Sequence, residues 1–404
     1  MSGPFAAKRI LLGVSGSIAA YKAVDLASKL TQAGADVDVL MSYSATQFVT
    51  PLTFRSVTHR AVVSDLLDPD SPEAVEHVAL ATAADVLVVA PATAHMIAKL
   101  ALGLADDPIS ITALATGAPL IVAPAMDANL WEHPAVQKNV ETLESRGAMV
   151  VGPGRGRLAS GLFGWGRLAE TPELLGRIAQ AMGRGGDLAG RTVVVTSGGT
   201  TEPIDPVRVV TNRSSGKMGH AVAEAARDRG AHVVLVTAAS LDDPPGVEVR
   251  HIETASEMLS EVLGACRSAD ALVMAAAVAD YRPADVRPDK IKKDEADALT
   301  LEMVRTDDIL SAAPRDVVRV GFAAESTDLL GHARAKLVSK DLDLIVANDI
   351  TLPDAGFGAD TNKVTILDAE DGAEDLPLLS KYDVAYRVLD RVVRLIGAKR
   401  GALR

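Results

Sequence analysis

Residues 9–22 read RILLGVSGSIAAYK, and the fold turns on this stretch. Arg9–Val14 is an apolar run too short for a helix and without alternation, the pattern of a strand covered on both faces. It runs into Ser15-Gly16-Ser17, whose backbone N–H groups and hydroxyls suit a phosphate at the start of the following helix. From Ser17 to Ala33 the apolar positions are Ile18, Ala20, Val24, Ala27 and Leu30, the last four at three- or four-residue spacing, which predicts that helix. Further short apolar runs at 37–41, 86–90, 120–123 and 149–151 alternate with helical stretches. The spacing predicts a doubly wound, Rossmann-like α/β domain with its ligand loops at the strand C-termini.

The plan restarts after Gly183-Arg184-Gly185-Gly186-Asp187, a glycine-rich polar segment that reads as a linker. Strands are predicted at 192–196, 233–237, 271–277, 318–323, 342–347 and 364–367, and a helix beyond about residue 370. The expectation is α/β throughout: one doubly wound domain over 1–182, a linker over 183–190, and a second such domain over 191–404. At 404 residues, two domains are also what length predicts. The 41 Lys+Arg against 53 Asp+Glu give a net charge of −12, which argues against general nucleic-acid or anionic-membrane binding. The single cysteine, Cys266, excludes an intrachain disulfide and a Cys-rich zinc site. With no apolar run long enough to span a membrane and no signal-peptide pattern, a cytoplasmic protein is expected.

In the first half four strand ends carry small or polar loops: Ser15-Gly16-Ser17, then Ser42 to Thr46, then Pro91-Ala92-Thr93, and Pro124-Ala125-Met126-Asp127. None is GxGxxG, so a mononucleotide suits the site better than a dinucleotide. These motifs, with His77 in HVAL, GLADD at 103–107 and GRLASGLFGWGRL at 156–168, resemble the flavin-dependent cysteine decarboxylases, in the phosphopantothenoylcysteine branch. The resemblance implies FMN held by Ser15, Gly16, Ser17, Ser42, Thr46, Pro91, Thr93, Met126 and Asp127, with His77 as acid/base. It also implies oxidation of the substrate's cysteine moiety to a thioaldehyde, whose C=S accepts the electrons left by departing CO2.

Two positions depart from that pattern. Where the family has an Asn that binds the substrate carboxylate, this chain has Asp127, whose charge would repel it unless burial keeps it protonated; Asn129 is an alternative partner. Where the family has a proton-donating Cys, this chain has Ser160, a far weaker acid. The expectation is a reductive step that is slowed or uses another donor, such as water or His77.

In the second half, Thr196 to Arg208 (TSGGTTEPIDPVR) is followed by TNRSSGKMG at 211–219, which offers hydroxyls, helix N–H groups and a cation to an anion. It lacks the Walker A spacing. With AAAVADYRP at 275–283, KIKK at 290–293, GFAAE at 321–325 and LDLIVAND at 342–349, the run resembles the phosphopantothenate–cysteine ligases. This implies CTP and Mg²⁺, with no metal ligands identifiable, and an acyl-cytidylate attacked by the cysteine amine. Asn212 and Lys290 match catalytic positions. Met274, Ala275, Ala276, Asp280, Lys290, Thr306, Asp307, Asp308, Ile309, Phe322, Lys336 and Lys340 match nucleotide contacts. Arg208, Asn212, Ser214, Ser215, Gly216 and Lys217 are the expected substrate contacts.

The two halves in this order resemble the bifunctional coenzyme A biosynthesis family. That implies small-molecule substrates (4'-phosphopantothenate, cysteine, CTP) and a homo-oligomer of trimeric flavin domains and dimeric ligase domains, possible as a dodecamer. Two rival readings are weaker. A nicotinamide oxidoreductase lacks its GxGxxG, and none of the five tyrosines is followed by Lys four residues later. The other is a ligase whose flavin half, altered at Asp127 and Ser160, is a degenerate scaffold or regulatory module; loss of FMN on purification would favour it.

Overall fold

In a computed structural model of the chain, Arg9–Val14 is an inner strand of a six-stranded sheet. The structure describes residues 3–65, 76–292, 299–325, 328–349, 356, 358–370 and 372–402. They form two units, Met1–Met182 and Gly183–Arg404. From edge to edge the first sheet runs Val62–Val63, Asp36–Met41, Arg9–Val14, Val86–Ala92, Leu120–Pro124, Met149–Val150, with every pair parallel. Winding reverses between Arg9–Val14 and Val86–Ala92, so the loops after these strands flank one crevice. Ile10, Leu12 and Val14 enter one core layer and Leu11 the opposite one, all fully buried. Each such side chain contributes ~1.5–3 kcal/mol by leaving water.

The first helix, Ala20–Gln32, starts later than the predicted Ser17. The Ser17 carbonyl accepts the Ala20 N–H at 2.9 Å and its hydroxyl accepts the Ala19 N–H at 3.3 Å, which holds residues 17–19 in a turn. Ile18, expected on the core face, is therefore 59% exposed. Outside the sheet stands an antiparallel hairpin, Gly154–Arg157 with Phe163–Arg167.

The second sheet runs Glu248–His251, His232–Thr237, Thr192–Ser197, Ala271–Met274, Val318–Glu325, Leu344–Asp349, Val364–Asp368, Ala373–Asp375. The first six are parallel and the last two antiparallel. The strand predicted to reach residue 277 ends at Met274. Beyond it the buried Thr196 hydroxyl accepts the Ala276 N–H at 3.1 Å, and the Gly198 carbonyl accepts the Ala277 N–H at 2.8 Å. The helices Lys217–Arg227 and Lys381–Ala402 pack on the same core layer.

Residues 183–190 pack onto the second unit. Leu188 is fully buried, and Asp187 and Asp390 both pair with the buried Arg229 guanidinium. A Cβ on Gly183 or Gly186 would lie 2.2 or 2.3 Å from the carbonyl oxygen of Asp228 or Arg229, so glycine is required there by close approach. Among the described residues no helix is long and apolar enough to cross a membrane.

Candidate active sites

The loops at the first crevice are knit together. Ser15, buried, donates its hydroxyl to the Pro91 carbonyl at 2.7 Å and accepts the Thr93 N–H at 2.9 Å. A Cβ on Gly16 would sit 2.3 Å from Ser44 Cβ, so only glycine lets the first loop approach the Ser42–Thr46 region so closely. Ser42 and Thr93 cap the helices that follow them, accepting the Ala45 and Met96 N–H groups at 3.3 and 3.2 Å. Thr46 donates to the Tyr43 carbonyl.

Beside these loops lies a cleft of about 520 Å³, lined among others by Ser17, Ile18, Tyr21, Met126, Asp127 and Ser160. Gly166, at φ +147°, is a site where a Cβ would stand 2.1 Å from the Met126 oxygen. Its own carbonyl accepts the Met126 N–H at 3.0 Å, which fixes the hairpin against the 124–126 loop. The two departing positions meet: Ser160 donates its hydroxyl to Asp127 Oδ2 at 2.6 Å. Asp127 Oδ1 accepts the Asn129 N–H at 3.1 Å. These bonds, Ser160's first, hold the Asp127 carboxyl below its usual range, and Asp127 is only half-buried, so burial does not keep it protonated. Asn129 is exposed and outside the cleft lining. His77 falls in the first turn of the helix Glu76–Ala83, and its side chain lies outside the described residues.

The residues present fit a flavin. Ile18 and Tyr21 leave apolar surface uncovered in the cleft wall, as a planar ring system requires. The helix Ala20–Gln32 carries neither a capping side chain nor an acid in its first turn, leaving its positive end to a phosphate.

In the second unit a larger cleft, about 840 Å³, opens at the C-terminal ends of Ala271–Met274, Val318–Glu325 and Leu344–Asp349, lined by Met274, Phe322 and Asn348. It brings together Asn212, Asp280, Thr306, Phe322, Lys336 and Lys340, residues far apart in sequence. Met274, Ala275, Ala276, Asp307, Asp308 and Ile309 also line it, as do Ser214, Ser215 and Gly216. Asn212 donates its amide to the Val278 carbonyl at 2.9 Å. Thr306 donates its hydroxyl to the Ala279 carbonyl at 2.6 Å and its N–H to the Asp280 carbonyl at 3.0 Å. Gly216, at φ +76°, has its carbonyl capped by the buried Ser197 hydroxyl at 2.8 Å.

Lys336 donates to the Phe322 carbonyl at 2.8 Å, while Lys340 pairs with Asp308 at 3.2 Å. Burial alone would raise the Asp308 pKa, but hydrogen bonds from Ser311 and the Lys340 charge outweigh it and hold it below the usual range.

Three expected residues fall outside the lining. Arg208 is paired with the buried Asp205 and donates to the Ile291 carbonyl at 3.2 Å. Lys217, read from sequence as a cation free for an anion, instead binds Asp360 at 2.6 Å and the Gly358 carbonyl at 2.9 Å. Lys290 is exposed, and Lys293 lies outside the described residues. Sequence reasoning missed Lys381, a buried ammonium in the lining that is held by the Gly356, Ala359 and Thr361 carbonyls. It also missed the buried Thr200, whose hydroxyl accepts the Ala279 N–H at 2.9 Å. Lys381 lies in no cluster of its kind. The one usable signal was the repeated threonine in Thr196-Ser197-Gly198-Gly199-Thr200, side-chain acceptors placed at a strand end.

Residues 2–183 match the family described as Flavoprotein, and residues 188–396 match the DNA/pantothenate metabolism flavoprotein C-terminal domain. Relatives match along nearly the whole chain. The coenzyme A biosynthesis bifunctional protein CoaBC of Bacillus subtilis (strain 168) is 45% identical over 396 residues, 96% of this chain and 97% of that protein. The protein of the same name from Mycobacterium bovis is 44% identical over 409 residues, again 96% and 97%. That of Escherichia coli (strain K12) is 42% identical over 395 residues, with the same coverage.

Proposed function

The chain belongs to the family of coenzyme A biosynthesis bifunctional proteins, and from that premise we propose that its two units catalyse successive steps on one intermediate. The second unit joins cysteine to 4'-phosphopantothenate at the expense of CTP. The first, a flavoprotein unit using FMN, decarboxylates the product to 4'-phosphopantetheine. Membership over the full length carries this reading and disfavours a degenerate flavin scaffold.

A carboxylate is a poor acyl donor. In the ligase cleft the phosphopantothenate carboxylate attacks the α-phosphorus of CTP and pyrophosphate leaves; the cysteine amine then attacks the acyl carbon and CMP leaves. Charge on the transferring phosphoryl group calls for cations in place, the role proposed for Lys290, Lys336 and Lys340. Asn212 holds the acyl intermediate, with Ser214, Ser215 and Gly216 at its phosphate, and Arg208 and Lys217 join them once released from their carboxylates. Asp280, Ala275, Ala276, Phe322 and the 306–309 segment hold the nucleotide. Among the described residues no three His, Cys, Asp or Glu side chains converge on a metal site, so Mg²⁺ is read as entering with the triphosphate.

In the flavin cleft, FMN when bound supplies a reversible two-electron oxidation of the cysteine moiety that lets CO2 depart. The chain binds and orients. Ser15, Gly16, Ser17, Ser42, Thr46, Pro91 and Thr93 shape the flavin loops, Met126 and Asp127 border the substrate, and His77 moves the proton. Cytoplasmic location and an oligomer built of flavin trimers and ligase dimers belong to the same proposal, the latter read by light scattering.

The test is a product assay by mass spectrometry on the purified chain with phosphopantothenate, cysteine, CTP and Mg²⁺. Phosphopantetheine is expected. Arrest at phosphopantothenoylcysteine would leave the ligase and refute the decarboxylase; no product would refute both.

A further inference from the structure

A decarboxylase of this kind must seat an ionised carboxylate, yet the position expected to do so carries Asp127, itself ionised and already engaged by Ser160. Three cations line the same cleft: Lys22, Arg157 and Arg167. Two of them are committed. Lys22 pairs with Glu170 at 3.1 Å, and Arg167, laid across Gly156, pairs with the same carboxylate at 3.1 Å. Arg157, whose backbone pairs with Phe163 across the hairpin, has an exposed side chain that makes no hydrogen bond or ion pair with another described residue. It is the last residue of the strand Gly154–Arg157, just before the 158–162 tip that carries Ser160. The tip is itself ordered by backbone bonds, Leu158 N–H to the Leu162 carbonyl at 2.8 Å and Gly161 N–H to the Leu158 carbonyl at 2.9 Å. The Ser160–Asp127 bond therefore fastens the same hairpin end that presents Arg157 to the cleft.

Resting on the decarboxylase reading of this unit, we propose that Arg157 receives the carboxylate of the substrate's cysteine moiety, and that Asp127 with Ser160 forms the latch that places it there. The two departures at 127 and 160 are then one change: Asp127 gives up the substrate and takes the hairpin, and the hairpin brings its own receptor. A guanidinium matches a carboxylate with two parallel N–H donors. The pair is broken when CO2 leaves, so Arg157 acts in binding, and its loss appears in KM rather than as a loss in kcat.

The test uses the flavin-loaded full chain and two ligands without a thiol, neither of which can react. One is the serine amide of 4'-phosphopantothenate; the other is the ethanolamine amide, which lacks only the carboxylate. Binding is followed by the visible absorbance of the flavin, which reports this cleft and not the ligase cleft. Arg157→Gln should weaken the serine amide roughly tenfold and leave the ethanolamine amide and FMN retention unchanged. Arg157→Lys should retain part of the preference, and Ser160→Ala, which opens the latch, should reduce it. Equal weakening of both ligands would assign Arg157 to the phosphate or to general attraction and overturn the proposal. So would no change in either, or loss of FMN. If the wild-type chain binds FMN but neither ligand, the decarboxylase reading itself falls, an outcome distinct from failure of the Arg157 variant alone.

Discussion

Thr196→Val removes one hydroxyl and keeps the side chain's shape. Thr196 is fully buried on its strand, and its hydroxyl accepts the Ala276 N–H at 3.1 Å, the contact at which the chain turns out of the sheet. The variant leaves that N–H without its acceptor, a cost of ~1–3 kcal/mol. For a unit of this size, ~2–4 °C per kcal/mol gives a fall in melting temperature of about 2–12 °C. The loop it supports carries Ala275, Ala276 and Asp280 into the ligase cleft. If the whole penalty is expressed as displacement of that loop, CTP affinity falls by up to roughly 5- to 150-fold. Calorimetry with CTP, beside thermal unfolding followed separately for the two units, measures both. A variant that binds CTP like wild type and melts at the same temperature would refute the argument that this hydrogen bond, rather than the apolar run, ends the strand. Flavin binding should be untouched in either case.

Other variants probe the remaining steps. Lys290→Gln should lose ligation far more than it loses CTP binding; equal losses would make Lys290 a nucleotide contact only. Gly166→Ala places a Cβ 2.1 Å from the Met126 oxygen at a φ of +147°, so the hairpin must shift; flavin fluorescence should show weaker retention of FMN. Asp205 has its carboxyl held at about 2: burial pushes it up, but N–H groups of Val207, Ile291 and Arg208 and the Arg208 guanidinium prevail. A depressed carboxyl stabilises the fold fully above its unfolded value and ceases to do so as pH falls through the folded one. The urea midpoint of the second unit should therefore be flat to about pH 5 and fall between ~4 and 2, and Asp205→Asn should flatten that fall.

The inner strands were legible because each is covered on both faces and so is apolar without interruption, as in Arg9–Val14 and Val86–Ala92. Glu248–His251 was not, since an edge strand reading Glu-Val-Arg-His has too little apolar content to announce itself. Ala373–Asp375, another edge, failed for the same reason. The sequence also placed the helix start at Ser17, because periodicity registers Ile18 as apolar but carries no information that a ligand cleft, not the core, faces it. At the sites, most of the residues that the ligase motifs supplied line one cleft. Contacts formed by distant positions were invisible: Ser160 on Asp127, Asp360 on Lys217, and Lys381 among three carbonyls. Each depends on loops whose approach is set by tertiary packing rather than by local pattern.

The packing of residues 183–190 bears on how the two enzymes can be separated genetically. A shortened gene whose product starts at Arg191 would discard Leu188, leaving a hole in the core of the second unit, and would strip Arg229 of one of its two carboxylates. Starting at Gly183 keeps both. The glycine-rich stretch that looks expendable is thus part of the ligase, and an evolutionary split of this gene into two would be tolerated ahead of it but not after it.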